Sequence, residues 1–358
     1  MAVITVIGAG YMGSALTYPA ADNGHTIRLV GTHLDDEIIA RAQTDGFHSR
    51  LKRPLPPNVT PYFHTQIPSV VPDAEIIVLG VNSRGVHWAA EQLAAHLQPG
   101  QIVLMVTKGL EADSSGNLRI LPDIFAADLP LPIRDQIHYA AIGGPSIAGE
   151  LAARRHTSVV FTSRNGDILS RLRDTFATPY YHIWTSTDLI GVEVCVALKN
   201  PYALAVGLAA GVVEQENPPD IAGAKQHNFA ASIFAQGLAE TAQLVQAMGG
   251  GLATVFSLPG AGDLYVTTQG GRNSRMGRLL GSGLRYADAV EEMPNETVEG
   301  VDATVAIVPS IERMIVAGQL PPDAMPLLRR LYRVLTQNEP ADFEFNRFFS
   351  ELPFNPPA

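Results

Sequence analysis

Val3-Ile4-Thr5-Val6-Ile7-Gly8-Ala9-Gly10-Tyr11-Met12-Gly13 is the stretch on which the fold turns. Residues Val3–Ile7 form a short, β-rich apolar run that meets glycine at once, the pattern of a buried parallel strand entering a turn. The G-x-G-x-x-G that follows needs glycine for three separable reasons. Gly8 makes the tight turn, Gly10 lets the backbone approach a pyrophosphate, and Gly13 allows close helix–strand packing. A helix starting there offers free N–H groups and a partial positive charge to phosphates. Alone the motif is weak. Here it follows a good strand and precedes a second one, Thr26–Val30, which makes it strong. Gly8, Gly10, Tyr11, Met12 and Gly13 are therefore candidate dinucleotide contacts, and a tight turn without a ligand is the plainer alternative.

Further apolar runs occur at Glu75–Val81, Gln101–Val106, His138–Ile142 and Thr157–Thr162, separated by helical or polar segments. Strands alternating with helical crossovers imply a doubly wound, mostly parallel sheet of the Rossmann type. Pro- and Gly-containing pieces, Arg53–Pro57 and Gln98–Gly100, punctuate it. After Asp188 the texture changes to long Ala- and Leu-rich stretches: Leu189–Glu214, Ala222–Met248, Arg275–Leu280, Thr304–Ala317 and Pro326–Thr336. These read as helices, with Asp188 as N-cap of the first. The expected fold class is α/β, a Rossmann-type domain over residues 1–188 followed by an all-helical domain over 189–337. A Phe- and Pro-rich irregular tail, 338–358, closes the chain.

Composition agrees. At 358 residues the chain suits two domains, and a hydrophobic fraction of 46% supplies two cores and excludes disorder. A formal charge of -10 argues against nucleic acid or an anionic membrane as partner. Any anion site must then be built from local cations and backbone N–H groups. The single cysteine, Cys195, allows no disulfide within the chain, which fits a reducing, cytoplasmic compartment. Met1–Ala21 carries no charged side chain, yet it lacks the basic start of a secretory signal and is broken by spaced glycines and Pro19. It reads as a strand and a turn. The apolar uncharged run Asn200–Val213 falls short of the ~20 residues needed to cross a bilayer.

Dinucleotide-binding units of this kind place an acid about 20 residues after the glycines, where it binds the ribose 2′-hydroxyl of NAD. No Asp or Glu occurs between Thr26 and Leu34, and Asp35 and Asp36 come late. Without a carboxylate to repel it, a 2′-phosphate is tolerated, with Thr32 and His33 as candidate donors; both are equally at home as ordinary loop residues. This pattern leans towards NADPH, or use of both NADP and NAD.

Many reactions use such a fold, so chemistry has to come from elsewhere in the chain. Lys108, in Thr107-Lys108-Gly109, follows an apolar strand and so lies where open α/β sheets bind ligands. A surface lysine at a strand end is its bland reading. Lys199 sits inside an apolar helix among Val192, Cys195, Val196, Leu198 and Ala203. A buried lysine is costly without a partner and its proton is easily loosened, which suits acid/base work. Pro201 behind it removes one helix N–H and should bend the helix. Gly260-Ala261-Gly262-Asp263 and Gly270-Gly271-Arg272-Asn273 lie ten residues apart, with Thr267 and Thr268 between them. Arg272, Arg275 and Arg278 read as a solvated face, but Gly270-Gly271 before Arg272 marks a helix start there, a good place to hold phosphate.

The succession G-A-G-Y-M-G (8–13), T-K-G-L (107–110), G-G-P-S-I-A-G-E-L-A (143–152), A-L-K-N (197–200), G-L-A-E (237–240), G-A-G-D-L (260–264) and G-G-R-N-S-R-x-G (270–277) resembles the NAD(P)-dependent glycerol-3-phosphate dehydrogenases of bacterial type. The match runs in order from residue 3 to residue 336. The resemblance implies a reaction between dihydroxyacetone phosphate and sn-glycerol 3-phosphate, which supplies phospholipid synthesis. It implies that Lys199 protonates the C2 oxygen, that Asp263 orients Lys199 and that Lys108 polarises the carbonyl. Thr267, Arg272 and Asn273 would bind the phosphate, Asn200 would help hold the substrate, and Glu299 would lie near the cofactor. A homodimer is one open assembly state.

The chain departs from that pattern at Gln236, where a basic residue usually precedes Gly-Leu-Ala-Glu, and at Pro19 and Pro201. Two other readings stand beside it. One is a related two-domain, lysine-dependent dehydrogenase of a carboxylate substrate, of the β-hydroxyacid dehydrogenase or ketopantoate reductase type, against which the Gly-Gly-Arg-Asn segment discriminates. The other is a non-catalytic dinucleotide sensor, which would need no lysine–aspartate pair.

Overall fold

In a computed structural model, which describes residues 1–215, 220–294 and 296–341, the chain forms twelve strands among the described residues. They are β1 (Val3–Ile7), β2 (Thr26–Val30), β3 (Phe47–His48), β4 (Arg53–Pro54), β5 (Val59–Tyr62), β6 (Ile76–Leu79), β7 (Ile102–Met105), β8 (Leu110–Ala112), β9 (Leu118–Ile120), β10 (His138–Gly143), β11 (Thr157–Thr162) and β12 (Tyr181–Ser186). Eight of them make one sheet in the order β12-β11-β10-β7-β6-β1-β2-β5. All neighbours are parallel except β10 and β11. The chain runs outward from β1 through β2 to β5, then returns to β6 on the other side of β1. That reversal opens a crevice at the C-terminal ends of β1 and β6, the site at which doubly wound sheets take their ligands. β6 and β7 are buried along their whole length, which explains their unbroken apolar runs.

Two sheet strands are absent from the sequence reading, and both lie at edges. β5 contains Pro61 and follows Pro56 and Pro57, so it looks like a turn; an edge strand tolerates a residue that cannot donate to the ladder. β12 alternates buried and exposed residues over its first four positions, too short a pattern to stand out. β3 and β4 pair as a small hairpin, of which only β4 falls within the Arg53–Pro57 span that reads as punctuation.

The chain divides into two compact units, Met1–Gly109 with Arg119–Glu193, and Leu110–Leu118 with Val194–Ala358. In the first, α1 (Tyr11–Asp22), α2 (Asp36–Asp45) and α3 (Val86–Leu93) follow β1, β2 and β6. Helix α1 runs through Pro19. The second unit is built on α4 (Leu189–Glu214), α5 (His227–Ala247), α6 (Asp263–Thr268), α7 (Arg272–Gly281), α8 (Glu299–Val316) and α9 (Pro326–Thr336). Asp188 caps α4 as expected, its Oδ1 accepting the Gly191 N–H at 2.9 Å. The helix continues through Pro201. It is long and apolar enough to cross a bilayer, yet 83% of its most apolar window is buried inside the protein. It is a core helix. The expected irregular tail lies outside the described residues from 342 onward.

Helices α4 and α7 meet backbone to backbone. A Cβ at Gly211 would stand 2.0 Å from the Arg278 carbonyl oxygen, and one at Gly277 2.0 Å from that of Leu204. Gly207 and Gly281 are equally crowded. Two Gly-x-x-x-Gly pairs therefore let the helices touch, and this contact carries the start of α7 up against Asn200.

Candidate active site

In the first unit the three glycines differ in what demands them. Gly8 has φ +103°, and a Cβ there would meet the Gly80 carbonyl oxygen at 2.8 Å. A Cβ at Gly13 would meet the Gly8 oxygen at 2.7 Å and Gly80 Cα at 3.2 Å. Both are required by the protein's own packing. Gly10 is not: its nearest neighbour would be 3.6 Å away, an ordinary contact. The fold leaves that place open, as a pyrophosphate approaching the backbone needs. Tyr11 beside it is exposed and Met12 half-buried.

Asp35 does not replace the missing ribose carboxylate. It is buried, and its Oδ2 accepts from the Ala9 N–H (3.2 Å), the Thr32 N–H (3.0 Å) and the Thr32 hydroxyl (2.8 Å). The acid pins the loop after β2 to the glycine loop. Thr32, expected as a phosphate donor, spends its hydroxyl hydrogen on Asp35 and accepts from the Leu34 N–H. His33 is exposed, its ring edge-on to Trp88 of α3 at 5.5 Å. A carboxylate cannot be installed at Gly31 without moving Ile39, whose Cγ1 would lie 2.6 Å from the new Cβ.

Lys108 stands half-buried three residues past β7, at the C-terminal edge of the sheet. Sequence reasoning missed a group in its field. Glu193 of α4 is completely buried and neither carboxyl oxygen has a hydrogen-bond partner among the described residues. Burial pushes its pKa up to about 8, while the Lys108 charge pulls it down.

In the second unit Lys199 is paired with Asp263, the lysine side chain 11% exposed and the aspartate not at all. A charge so far from water persists only with such a partner. Asp263 is presented by a single turn of π-helix, Leu258–Gly262, in which a Cβ at Gly260 would lie 2.0 Å from the Val255 oxygen. Gly260 of Gly-Ala-Gly-Asp thus has a structural job: it lets the chain fold tightly enough to aim the acid. Thr267, one turn on, donates its hydroxyl to the Asp263 carbonyl oxygen at 2.6 Å.

Next to Lys199, Asn200 joins three elements. Its Oδ1 accepts from Asn273 Nδ2 at 2.9 Å, and its Nδ2 donates to Glu299 Oε2 at 3.0 Å. Asn273 Oδ1 accepts the Gly300 N–H at 2.8 Å. Arg272, the first residue of α7, is exposed and faces Glu299 at 3.4 Å. The structure therefore brings together Lys199 with Asp263, and Asn200 with Arg272, Asn273 and Glu299, all on the second unit. Lys108 and the glycine loop belong to the first.

The Gly-Leu-Ala-Glu motif has a structural role. Glu240 is buried and accepts from the N–H groups of Leu327 (2.7 Å) and Leu328 (3.0 Å), from Tyr202 (2.9 Å) and from Gln236 (2.9 Å). It caps α9 from a distance. Burial raises its pKa and the four donors oppose that. Gln236, where a basic residue was expected, serves this cap.

A nucleotide-type α/β unit and a helical unit bearing a buried lysine–aspartate pair define the class of lysine-dependent dinucleotide oxidoreductases. Comparison with known proteins narrows it. Residues 3–168 match the N-terminal part, and residues 188–345 the C-terminal part, of NAD-dependent glycerol-3-phosphate dehydrogenase. The chain is 34% identical over 342 residues to a glycerol-3-phosphate dehydrogenase [NAD(P)+] of Lysinibacillus sphaericus, covering 94% of this chain and 92% of the relative. It is 33% identical over 300 residues to an NADP(+)-dependent glycerol-3-phosphate dehydrogenase of Archaeoglobus fulgidus, covering 84% and 86%. A solved glycerol-3-phosphate dehydrogenase from Coxiella burnetii superposes with a TM-score of 0.78 at 26% identity, over 95% of this chain and 96% of that one. The chain belongs to the NAD-dependent glycerol-3-phosphate dehydrogenase family. The carboxylate-substrate and sensor readings are not favoured.

Proposed function

We propose that this protein interconverts dihydroxyacetone phosphate and sn-glycerol 3-phosphate with NAD(P)H. The observation that carries the reading is the buried Lys199–Asp263 pair, adjoining the Asn200, Asn273, Glu299 and Arg272 cluster. The dinucleotide, when bound, supplies the hydride that reduces the C2 carbonyl. Lys199 gives the C2 oxygen its proton, so one hydride and one proton make the alcohol; oxidation returns both. Asp263 holds the ammonium in place and offsets its charge. Lys108 polarises the same carbonyl, since donors belong where an alkoxide develops. Arg272, Thr267 and the remaining amide hydrogens of Asn200 and Asn273 hold the substrate and its phosphate, which fixes the carbonyl for attack. Gly8, Gly10, Tyr11, Met12 and Gly13 take the pyrophosphate, with Glu299 near the nicotinamide end.

On this reading residues 1–188 form the dinucleotide domain and 189–337 the substrate domain. The preferred cofactor is NADPH, supported by the absent ribose carboxylate and by the NADP-dependent relative from Archaeoglobus. The product feeds phospholipid synthesis in the cytoplasm, and the protein needs neither nucleic acid nor membrane; a homodimer is compatible. The deciding experiment follows oxidation of NADH and NADPH by purified protein with dihydroxyacetone phosphate and a panel of other keto compounds. Turnover with dihydroxyacetone phosphate and not with keto acids is expected. Equal turnover of unphosphorylated dihydroxyacetone would sink the phosphate assignment.

A further inference from the structure

The NADPH preference leaves a question that the loop after β2 does not answer. In such folds the selective group stands at the end of β2, either a carboxylate for the 2′-hydroxyl or a cation for the 2′-phosphate. Here that place holds Gly31, where any side chain would have to displace Ile39, and Thr32, whose hydroxyl hydrogen is spent on Asp35. The cation arrives from elsewhere. Arg50, in the β3–β4 hairpin, places its guanidinium 3.4 Å from Asp35 Oδ1, on the same carboxylate whose other oxygen binds Ala9 and Thr32. Its side chain is 43% exposed and forms no hydrogen bond among the described residues. A flat fork of donors, held by charge alone, stands partly exposed beside the carboxylate that ties the glycine loop to the loop after β2.

The hairpin is not free to wander. His48 is buried, and its Nδ1 accepts the Leu51 N–H at 3.1 Å. The ring proton therefore sits on Nε2, which donates to Ser14 Oγ at 2.8 Å, with the Ala9 carbonyl oxygen at 3.2 Å. Burial lowers the His48 pKa, so this neutral form holds at physiological pH. Tyr18 donates to the Pro54 carbonyl oxygen at 2.9 Å from the same helix, α1. The hairpin is thus clamped at two points to the helix that follows the glycine loop. Arg50, Lys52 and Arg53 give its tip three positive charges within four residues, in a chain whose net charge is -10. They make a local anion-attracting spot where the whole-protein field repels anions.

We propose that Arg50 binds the adenosine 2′-phosphate and is the residue that selects NADPH over NADH. The proposal rests on the dinucleotide reading of the first unit. Asp35 acts as the hinge pin: it steers Arg50 and ties the hairpin to the glycine loop without reaching the ribose. Arginine is suited to the task because its planar fork meets a phosphate with two parallel hydrogen bonds.

The test measures binding of adenosine 2′,5′-bisphosphate and of 5′-AMP by calorimetry to the full-length protein and to Arg50→Ala and Arg50→Lys. The unmutated protein should bind the bisphosphate at least about tenfold more tightly, a preference that weakens as salt is raised. Arg50→Ala should lose most of that ratio and Arg50→Lys should keep part of it. In parallel, the ratio of kcat/KM for NADPH to that for NADH should fall at least about tenfold in Arg50→Ala. Were Arg50 merely the ion-pair partner of Asp35, its loss would shift the melting temperature and leave both ratios unchanged, which overturns the proposal. Loss of the ratio in His33→Ala with retention in Arg50→Ala would overturn it too. The binding arm needs no substrate, so it stands even if dihydroxyacetone phosphate proves not to be reduced.

Discussion

The glycine loop and the lysine cluster reach function by opposite routes. Around the loop, packing dictates nearly everything: a Cβ added at Gly8 or Gly13 would stand 2.8 Å or 2.7 Å from backbone oxygen, and Gly10 is exempt. What is left open marks the ligand. Around Lys199 the reverse holds, because polar groups consume one another in a closed set of pairs, from Lys199–Asp263 to Asn200–Asn273–Gly300. There the site is marked by what is present and costly. A vacancy inside a tight fold and a charge inside an apolar helix are both departures from what stability alone would choose.

The contrast can be broken most directly at Lys199. Lys199→Met should lower the melting temperature, because it leaves buried Asp263 without its partner, while sparing nucleotide affinity and cutting kcat by at least ~10²–10⁴, the scale of a lost general acid. Stopped-flow and steady-state kinetics read this; near wild-type turnover would remove Lys199 from the mechanism. Arg272→Ala comes next. It should raise KM for dihydroxyacetone phosphate by roughly tenfold or more and lower kcat as well if phosphate binding positions the carbonyl. An unchanged KM would reassign Arg272 to its ion pair with Glu299.

The glycines sharpen the other half. Gly10→Ala should fold with a near-normal melting temperature and lose about tenfold or more in dinucleotide affinity, since the added methyl enters the place a pyrophosphate needs. Gly13→Ala should lower the melting temperature by several degrees, because backbone cannot give way as a side chain can. If the two variants behaved alike in both assays, the distinction between packing glycine and ligand glycine would be wrong.

The smallest expected effect concerns Glu193. The folded protein holds its proton to about pH 8, whereas the unfolded chain releases it near the ordinary 4.5. Between those values the unfolded state binds fewer protons, so stability falls as pH rises and levels off above the folded pKa. Glu193→Gln should therefore raise the melting temperature by a few degrees near pH 8 and by much less near pH 5. Thermal denaturation at both pH values checks the sign; a loss of stability near pH 8 would mean that the native carboxyl is ionised.

The mostly parallel sheet, the helical second half, the N-cap at Asp188 and the oddity of Lys199 were legible because each rests on local pattern or on a charge with nowhere else to go. Periodicity, glycine spacing and a lysine among valines are all short-range signals. Edge strands β5 and β12 escaped because an edge imposes half the pattern and tolerates proline. Lys199 and Asp263 lie 64 residues apart, and only the π-turn at Leu258–Gly262 decides that they meet. The same holds for Thr32 and Asp35: sequence shows a missing acid, and the fold shows that the nearby acid turns inward and that Arg50 comes from a different hairpin. Sequence alone determined which chemistry-bearing residues this protein owns and which segments are strand or helix. Tertiary structure decided which of them spend their donors on each other, because a hydrogen bond or ion pair between distant segments depends on angstrom-scale approach set by packing, such as the four glycines of α4 and α7, and not on any spacing along the chain.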